Sequence, residues 1–344
     1  MASTLARLRA SSWIDRLGLA LVGLVVLWLL VNLFKGPSEF INVMLIGLTN
    51  GAIYGVVALG YTLVYGILQL INFAHGDVFA LAGLFASTVI VSLLGLDTDS
   101  SVIVIVLGLL ATLAIVMTMF ALINATIERI AYKPLRQAPR LAPLITAIGV
   151  SFIVQNIALA FYDVNYRSVP NFVPRTNAFE LGGVSYTWTK LAAILIVVPL
   201  LLILTWFVRS TKQGKAMRAV AQDKEASAMM GIDVNRTISV TFLIAGALAG
   251  AAGIVYLLQF NMRYDTGFEL GLIAFTAAVL GGIGNLTGAV LGAILIGLIQ
   301  AFNEGLTWLA PGSDWTRTIV FGILILILVF RPEGLLGERT PEGA

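Results

Sequence analysis

Apolar stretches close to 20 residues long recur from one end of this chain to the other, and that recurrence leaves few folds open. They fall near 17–34, 40–68, 76–95, 102–125, 142–162, 191–208, 237–260, 268–300 and 315–330. About 20 apolar residues in a helix cross the hydrocarbon core of a bilayer, where backbone groups must be satisfied without water. Only 11% of the 344 residues are charged, against about 25% in a soluble domain. The expectation is an all-α polytopic membrane protein, one transmembrane domain over 1–344. The net charge of +3 comes from cations gathered in a few loops, so nucleic acid is not implied. With no Cys and one His, disulfides and thiolate metal sites are excluded, and little is left for a His-based metal cluster.

Orientation follows from Lys and Arg, which are retained on the cytoplasmic side. Arg7, Arg9 and Arg16 precede the first apolar run. Arg129, Lys133, Arg136 and Arg140 form a second group, Arg209, Lys212, Lys215, Arg218, Lys224 and Arg236 a third, and Arg331 and Arg339 close the chain. Both termini and the two basic loops therefore read as cytoplasmic. The run 17–34 is longer than a secretory h-region and no small-x-small cleavage site follows it, so it reads as an uncleaved span. The segment 163–190, with Pro170, Pro174, Gly182 and Gly183, reads as an extracytoplasmic loop.

Parity gives about eight crossings and requires 268–300 to start and end outside. Two full spans need about 40 residues, so this segment reads as a broken or re-entrant pair of half-helices around Gly281-Gly-Ile-Gly-Asn-Leu-Thr-Gly288, shielded from lipid inside the protein. A second polar break lies at Gln69-Leu-Ile-Asn-Phe-Ala-His-Gly-Asp77. Each break places an Asn shortly before a Gly, Asn72 with Gly76 and Asn285 with Gly288. Such matching interruptions mark a transport path in a repeated architecture, although any helix break favours the same residues.

Polar groups at membrane depth suggest a pathway, and Asn72, His75, Gln155, Asn156 and Asn285 are the candidates. Each has a plainer alternative. His75 can donate to a carbonyl freed by the break, and Asp77 can cap the following helix. Gln155 and Asn156 can hydrogen-bond neighbouring helices. The small residues of Gly246-Ala-Leu-Ala-Gly250 and of Gly284, Gly288 and Gly292 read as ridges for close helix packing, including an interface with a second membrane chain.

One polar island stands out, the loop 209–236. Between Gly214 and Asp233 it holds strong helix formers and no Pro, with Gly231 where a helix C-cap belongs. Met217, Val220 and Ala221 follow i, i+3, i+4 spacing, so a helix near 216–230 with one apolar face is expected. It is either a solvated connector or a contact for a cytoplasmic partner. The nearest approach to a phosphate-binding loop is Gly214-Lys215, but Arg209 and Ala216 occupy obligatory Gly and Ser/Thr positions. No nucleotide site is expected here, so ATP would be used by another chain.

Glu225-Ala-Ser-Ala-Met-Met-Gly231 resembles the coupling loop of ABC-importer permeases, E-A-A-x-x-x-G, with Ser227 in place of the second Ala. Gly60-Tyr-Thr-Leu-Val-Tyr-Gly-Ile-Leu-Gln-Leu-Ile-Asn-Phe-Ala-His-Gly-Asp77 resembles the signature of the branched-chain amino acid permease family. Glu128-Arg-Ile-Ala-Tyr-Lys-Pro-Leu-Arg136, Arg218-Ala-Val-Ala-Gln-Asp223 and Ala274-Phe-Thr-Ala-Ala-Val-Leu-Gly-Gly-Ile-Gly284 are similar to it too. The likeness is greatest to the smaller of the family's two permease subunits, and urea and amide permeases share nearly the same signatures. The resemblance implies a non-enzymatic subunit of the bacterial inner membrane, importing leucine, isoleucine and valine. It implies a second permease, two cytoplasmic ATPases and an extracytoplasmic binding protein as partners. Onto the coupling motif it maps Arg218, Asp223, Glu225, Ala226 and Gly231. Urea or a short amide is the alternative substrate. An ion-coupled secondary transporter is the alternative of another class, and rests on Asp77 alone.

Overall fold

The computed structural model describes residues 12–70, 72–136, 138–139, 141–174, 176–330 and 333–337, with 12–19 and 21 by backbone only. Arg7, Arg9, Arg140, Arg331 and Arg339, and the side chain of Arg16, lie outside the described residues.

The chain is helical, as its apolar runs require. It forms α1 (Ser12–Lys35), α2 (Pro37–Leu68), α3 (Ala74–Thr88), α4 (Val102–Ile127) and α5 (Leu141–Tyr162). Single π turns extend α3 over Val89–Leu93 and α4 over Glu128–Tyr132. After a two-stranded hairpin, β1 (Asn177–Leu181) and β2 (Val184–Thr187), come α6 (Trp188–Ser210), α7 (Lys212–Gln222) and α8 (Lys224–Met229). The chain ends with α9 (Val234–Gln259), α10 (Thr266–Gly281), α11 (Leu286–Gly305) and α12 (Ser313–Phe330). Eight helices of the described residues are long and apolar enough to cross a membrane.

The hairpin marks one end of the bundle. Asn42, near the start of α2, donates to the Gly183 carbonyl (3.0 Å) and accepts from the Ser185 amide (2.8 Å). Thr49 and the Tyr186 hydroxyl lie 2.6 Å apart, and Arg167 pairs its backbone with Met262. The segment 163–190 is thus pinned to helix ends. Helices α2, α3 and α9 are largely buried and form the centre, while α4, α5, α6 and α12 turn apolar faces outward.

Among inserted helices water no longer drives association, so close van der Waals packing must hold them. The small-residue ridges do this within the chain. A methyl on Gly250 would meet the backbone of Met117 on α4 at 3.1 Å, and one on Gly292 would overlap the Ala277 carbonyl on α10. The Gly246–Gly250 and Gly288–Gly292 ridges are therefore spent on α4 and α10, and are not free for another permease chain. Gly284 alone of that set has open space beside it.

The expected broken segment is present as α10 and α11, separated by Gly282–Asn285. Its turn does not stop at mid-depth. It reaches the end of the bundle opposite the hairpin, where Leu335 and Leu336, just beyond α12, donate backbone hydrogen bonds to the carbonyls of Leu280 and Gly281 (2.8 and 3.0 Å). These bonds satisfy carbonyls that a helix end leaves open. At 20 residues α11 counts among the eight, whereas α10, with 16, falls short.

Candidate functional site

Both breaks lie at that same end, side by side. A methyl on Gly66, in the last turns of α2, would stand 3.8 Å from Gly284. Between them is a small cleft lined by Tyr61, Tyr65, Asn72, Phe275, Ala278 and Ile283.

The first break begins where Gln69 turns left-handed (φ +56) and caps α2 through its amide to the Tyr65 carbonyl (2.7 Å). Asn72 is buried. Its Oδ1 accepts from the Tyr132 hydroxyl at the foot of α4 (2.7 Å), while its Nδ2 has no partner. His75 is wholly buried, edge-on to Tyr61 with ring centres 4.9 Å apart. A methyl on Gly60 would overlap its Nε2. Neither ring nitrogen makes a hydrogen bond of good geometry, and the Val57 backbone is the polar group that approaches it.

Asp77 does not cap α3, which has no side-chain cap. Its carboxylate turns to α5 instead, accepting hydrogen bonds from Ser151 Oγ and from Gln155 Nε2, the latter at 3.0 Å. It is 1% exposed, buried against α5. Gln155 is half-buried beside it. Asn156, the next residue, points away from the chain and donates only to the Phe152 carbonyl of its own helix (2.8 Å).

At the second break Asn285 Oδ1 caps α11 by accepting from the Gly288 amide (3.0 Å), and its Nδ2 donates to the Leu336 carbonyl (2.8 Å). Asn72 and Asn285 thus lie at the break end, whereas Gly76 and Asp77, just past His75, pack against Gly267 at the start of α10, where Gln155 joins Asp77 from within α5, and Asn156 faces outward. Asn72 and Asn285 do different work despite their matching sequence positions.

The loop 209–236 lies at this end too. A single helix near 216–230 is not what forms: Asp223 interrupts it. The Asp223 backbone is extended, and its carboxylate accepts from the Ala226 amide (2.9 Å), starting α8 as a new N-cap. Helix α8 ends at Gly231 (φ +82), with Gly231 and Ile232 amides bonded to the carbonyls of Ala228 and Ser227. That pairing is a Schellman cap, which needs the left-handed residue glycine supplies. Met217 and Val220 bury the apolar face of α7 against α2 and α9. Arg218 folds back onto the carbonyls of Val208 and Arg209, closing α6. Ala226 is half-buried and Glu225 exposed, and Met229 and Met230 are 83% and 82% exposed.

Two groups escaped the sequence reading. Glu128, also 1% exposed, pairs with Arg136 and accepts from Ser239 on α9 (2.7 Å), while Arg136 also reaches Asn235. This clamp ties the foot of α4 to the start of α9, beside the loop 209–236. Partial burial and the nearby Arg136 hold the Lys224 ammonium below the usual lysine range. The signal was present in Glu128-Arg-Ile-Ala-Tyr-Lys-Pro-Leu-Arg136, but its partner on α9 is more than 100 residues away. Ser151, the donor to Asp77, carried no local signal.

Eight membrane-length helices among the described residues, with two helix breaks and an exposed short helix, α8, have the build of a polytopic membrane protein. Residues 43–329 match the family described as branched-chain amino acid transport system / permease component, and the chain belongs to that family. It is 37% identical over 310 residues to the high-affinity branched-chain amino acid transport system permease protein BraD of Pseudomonas aeruginosa, covering 88% of this chain and 98% of that one. It is 34% identical over 308 residues to the corresponding LivH protein of Escherichia coli, covering 88% and 97%. A probable LivH permease of Methanocaldococcus jannaschii is 26% identical over 295 residues, covering 82% and 88%.

Proposed function

We propose that this chain is a permease subunit of an ATP-driven importer that moves branched-chain amino acids across the bacterial inner membrane, with the break end and both termini in the cytoplasm. The carrying observation is the loop 209–236. Its tip presents Glu225, Met229 and Met230 to solvent, while its root, α7, is packed on α2 and α9. Exposed methionines adapt well to a partner's cleft, and a push on α8 would pass through α7 to the helix that ends at the first break. The substrate class is supported by the names of the relatives.

The partners in this reading are a second homologous permease, two cytoplasmic ATPases that bind the ATP, and an extracytoplasmic binding protein. This chain holds no cofactor in that scheme and does no catalysis of its own. Alternating access moves the helices around the cleft, and Asn72, His75, Gln155, Asn156 and Asn285 flank the route. Asp223 and Gly231 shape the tip, and Arg218 anchors its root.

Uptake of labelled leucine and labelled urea, in a strain lacking this chain and with it restored, tests the substrate. Leucine uptake should return; return of urea alone would reassign the substrate. Uptake that survives depletion of ATP and collapses with an ionophore would place the protein among ion-coupled carriers. Glu225→Ala should cut leucine uptake about tenfold or more, as loss of an interface hot spot does. Chain abundance should hold, because Glu225 is solvent-exposed. Normal uptake would remove the coupling role.

A further inference from the structure

Asp77 and Glu128 are equally buried, each 1% exposed. Glu128 has a cation, Arg136, and a hydroxyl donor, Ser239. Asp77 has two neutral donors, Ser151 and Gln155, and no ion pair with any Lys, Arg or His among the described residues. A carboxylate offers about four acceptor positions, so two neutral donors leave it only partly served. A buried charge is paired or pays heavily in solvation. Gln155 is half-buried and adjoins Asn156, whose amide stands on the outer face of α5 among Ile153, Ile157 and Phe161. Asn156 is the polar group on an otherwise apolar outer face, its amide bonded to the Phe152 carbonyl of its own helix (2.8 Å). Asn156, Gln155 and Asp77 thus make a polar column from that face into the chain.

We propose that Asp77 receives the ammonium group of the substrate in transit, approached past Asn156 and Gln155 and aimed by Ser151. This rests on reading the chain as an amino-acid permease. The ligand class is a small zwitterion with a primary ammonium, and a neutral urea would not need the charge. Ser151 and Gln155 are positioning residues, holding the two oxygens of the carboxylate toward the column.

The test uses the complete transporter in proteoliposomes, with its partner permease, ATPases and binding protein. Asp77→Asn keeps an oxygen for Ser151 while removing the charge. Leucine uptake per ATP hydrolysed should fall at least about tenfold, the loss expected for one charge-assisted hydrogen bond, with the complex still assembled. Wild-type uptake by an assembled Asp77→Asn complex would overturn the proposal and leave Asp77 a helix clamp. If that variant fails to assemble, the wild type decides. Dicyclohexylcarbodiimide labelling of Asp77, read by mass spectrometry, should slow at least about threefold when leucine-loaded binding protein drives turnover, as mass action on a shared site requires. Labelling indifferent to leucine would overturn the proposal. A wild-type complex that carries urea but no leucine would instead overturn the amino-acid reading itself, and the ammonium site with it.

Discussion

At the first break the backbone turns through Gln69, held at φ +56, whereas at the second it turns through Gly282 and Gly284, at +105 and +95. The left-handed region costs a residue with a Cβ roughly 1–2 kcal/mol, and glycine little. Polar groups differ in the same sense. Asn285 uses both ends of its amide, on Gly288 and Leu336. Asn72 leaves Nδ2 unpaired, and both His75 nitrogens lack a well-formed hydrogen bond. The second break is a relaxed, satisfied turn. The first holds its backbone strain at an exposed Gln69 and its unpaired polar atoms in buried Asn72 and His75, and such groups are where a protein keeps contacts for a ligand or a second conformation.

That contrast can be broken in four ways. The largest effect belongs to Gly60→Ala, whose methyl would overlap the ring of His75. Overpacking of this kind costs about 1–3 kcal/mol, and His75 is fully buried and pressed against Tyr61. The midpoint of thermal unfolding in detergent should drop clearly; an unchanged midpoint would mean the first break is loosely packed. Asn72→Ala comes next, stranding the Tyr132 hydroxyl at a cost of about 1–3 kcal/mol. It should also depress leucine uptake beyond what lost abundance explains, and a loss matched by abundance would make Asn72 structural.

Asn285→Ala should cost about 1 kcal/mol, the usual value of an N-cap, with uptake per folded chain unchanged. A selective loss of uptake there would erase the distinction between the breaks. Smallest, and opposite in sign, is Gln69→Gly, which should stabilise by about 1 kcal/mol or less by relieving the left-handed turn. A destabilised variant in the same unfolding assay would show that the Gln69 side chain is held for another reason.

Much of the fold was legible because hydrocarbon imposes length and composition on anything that crosses it. The apolar runs foretold the helices, both breaks were visible as Gly, Asn and His inside apolar sequence, and Gly231 announced the end of α8. The single helix expected near 216–230 overlooked Asp223, although Asp is among the best N-caps. The glycine ridges were legible as close-packing surfaces, but not what they pack against. Asp77 was legible as a buried acid and misassigned as a cap, because its donors lie 74 and 78 residues away on α5.

By itself the sequence determined that the chain crosses a membrane many times, where its helices break, and that a polar island stands beside them. Those are local properties, set by transfer of residues between water and lipid and by backbone preference at Gly, Asn and Asp. Tertiary structure decided which partners the buried polar groups keep. It gave Glu128 an arginine, gave Asp77 only neutral donors, satisfied Asn285 and left Asn72 half-satisfied. Hydrogen bonds and ion pairs are directional and short, so their making depends on which helices meet, and local sequence carries no record of that.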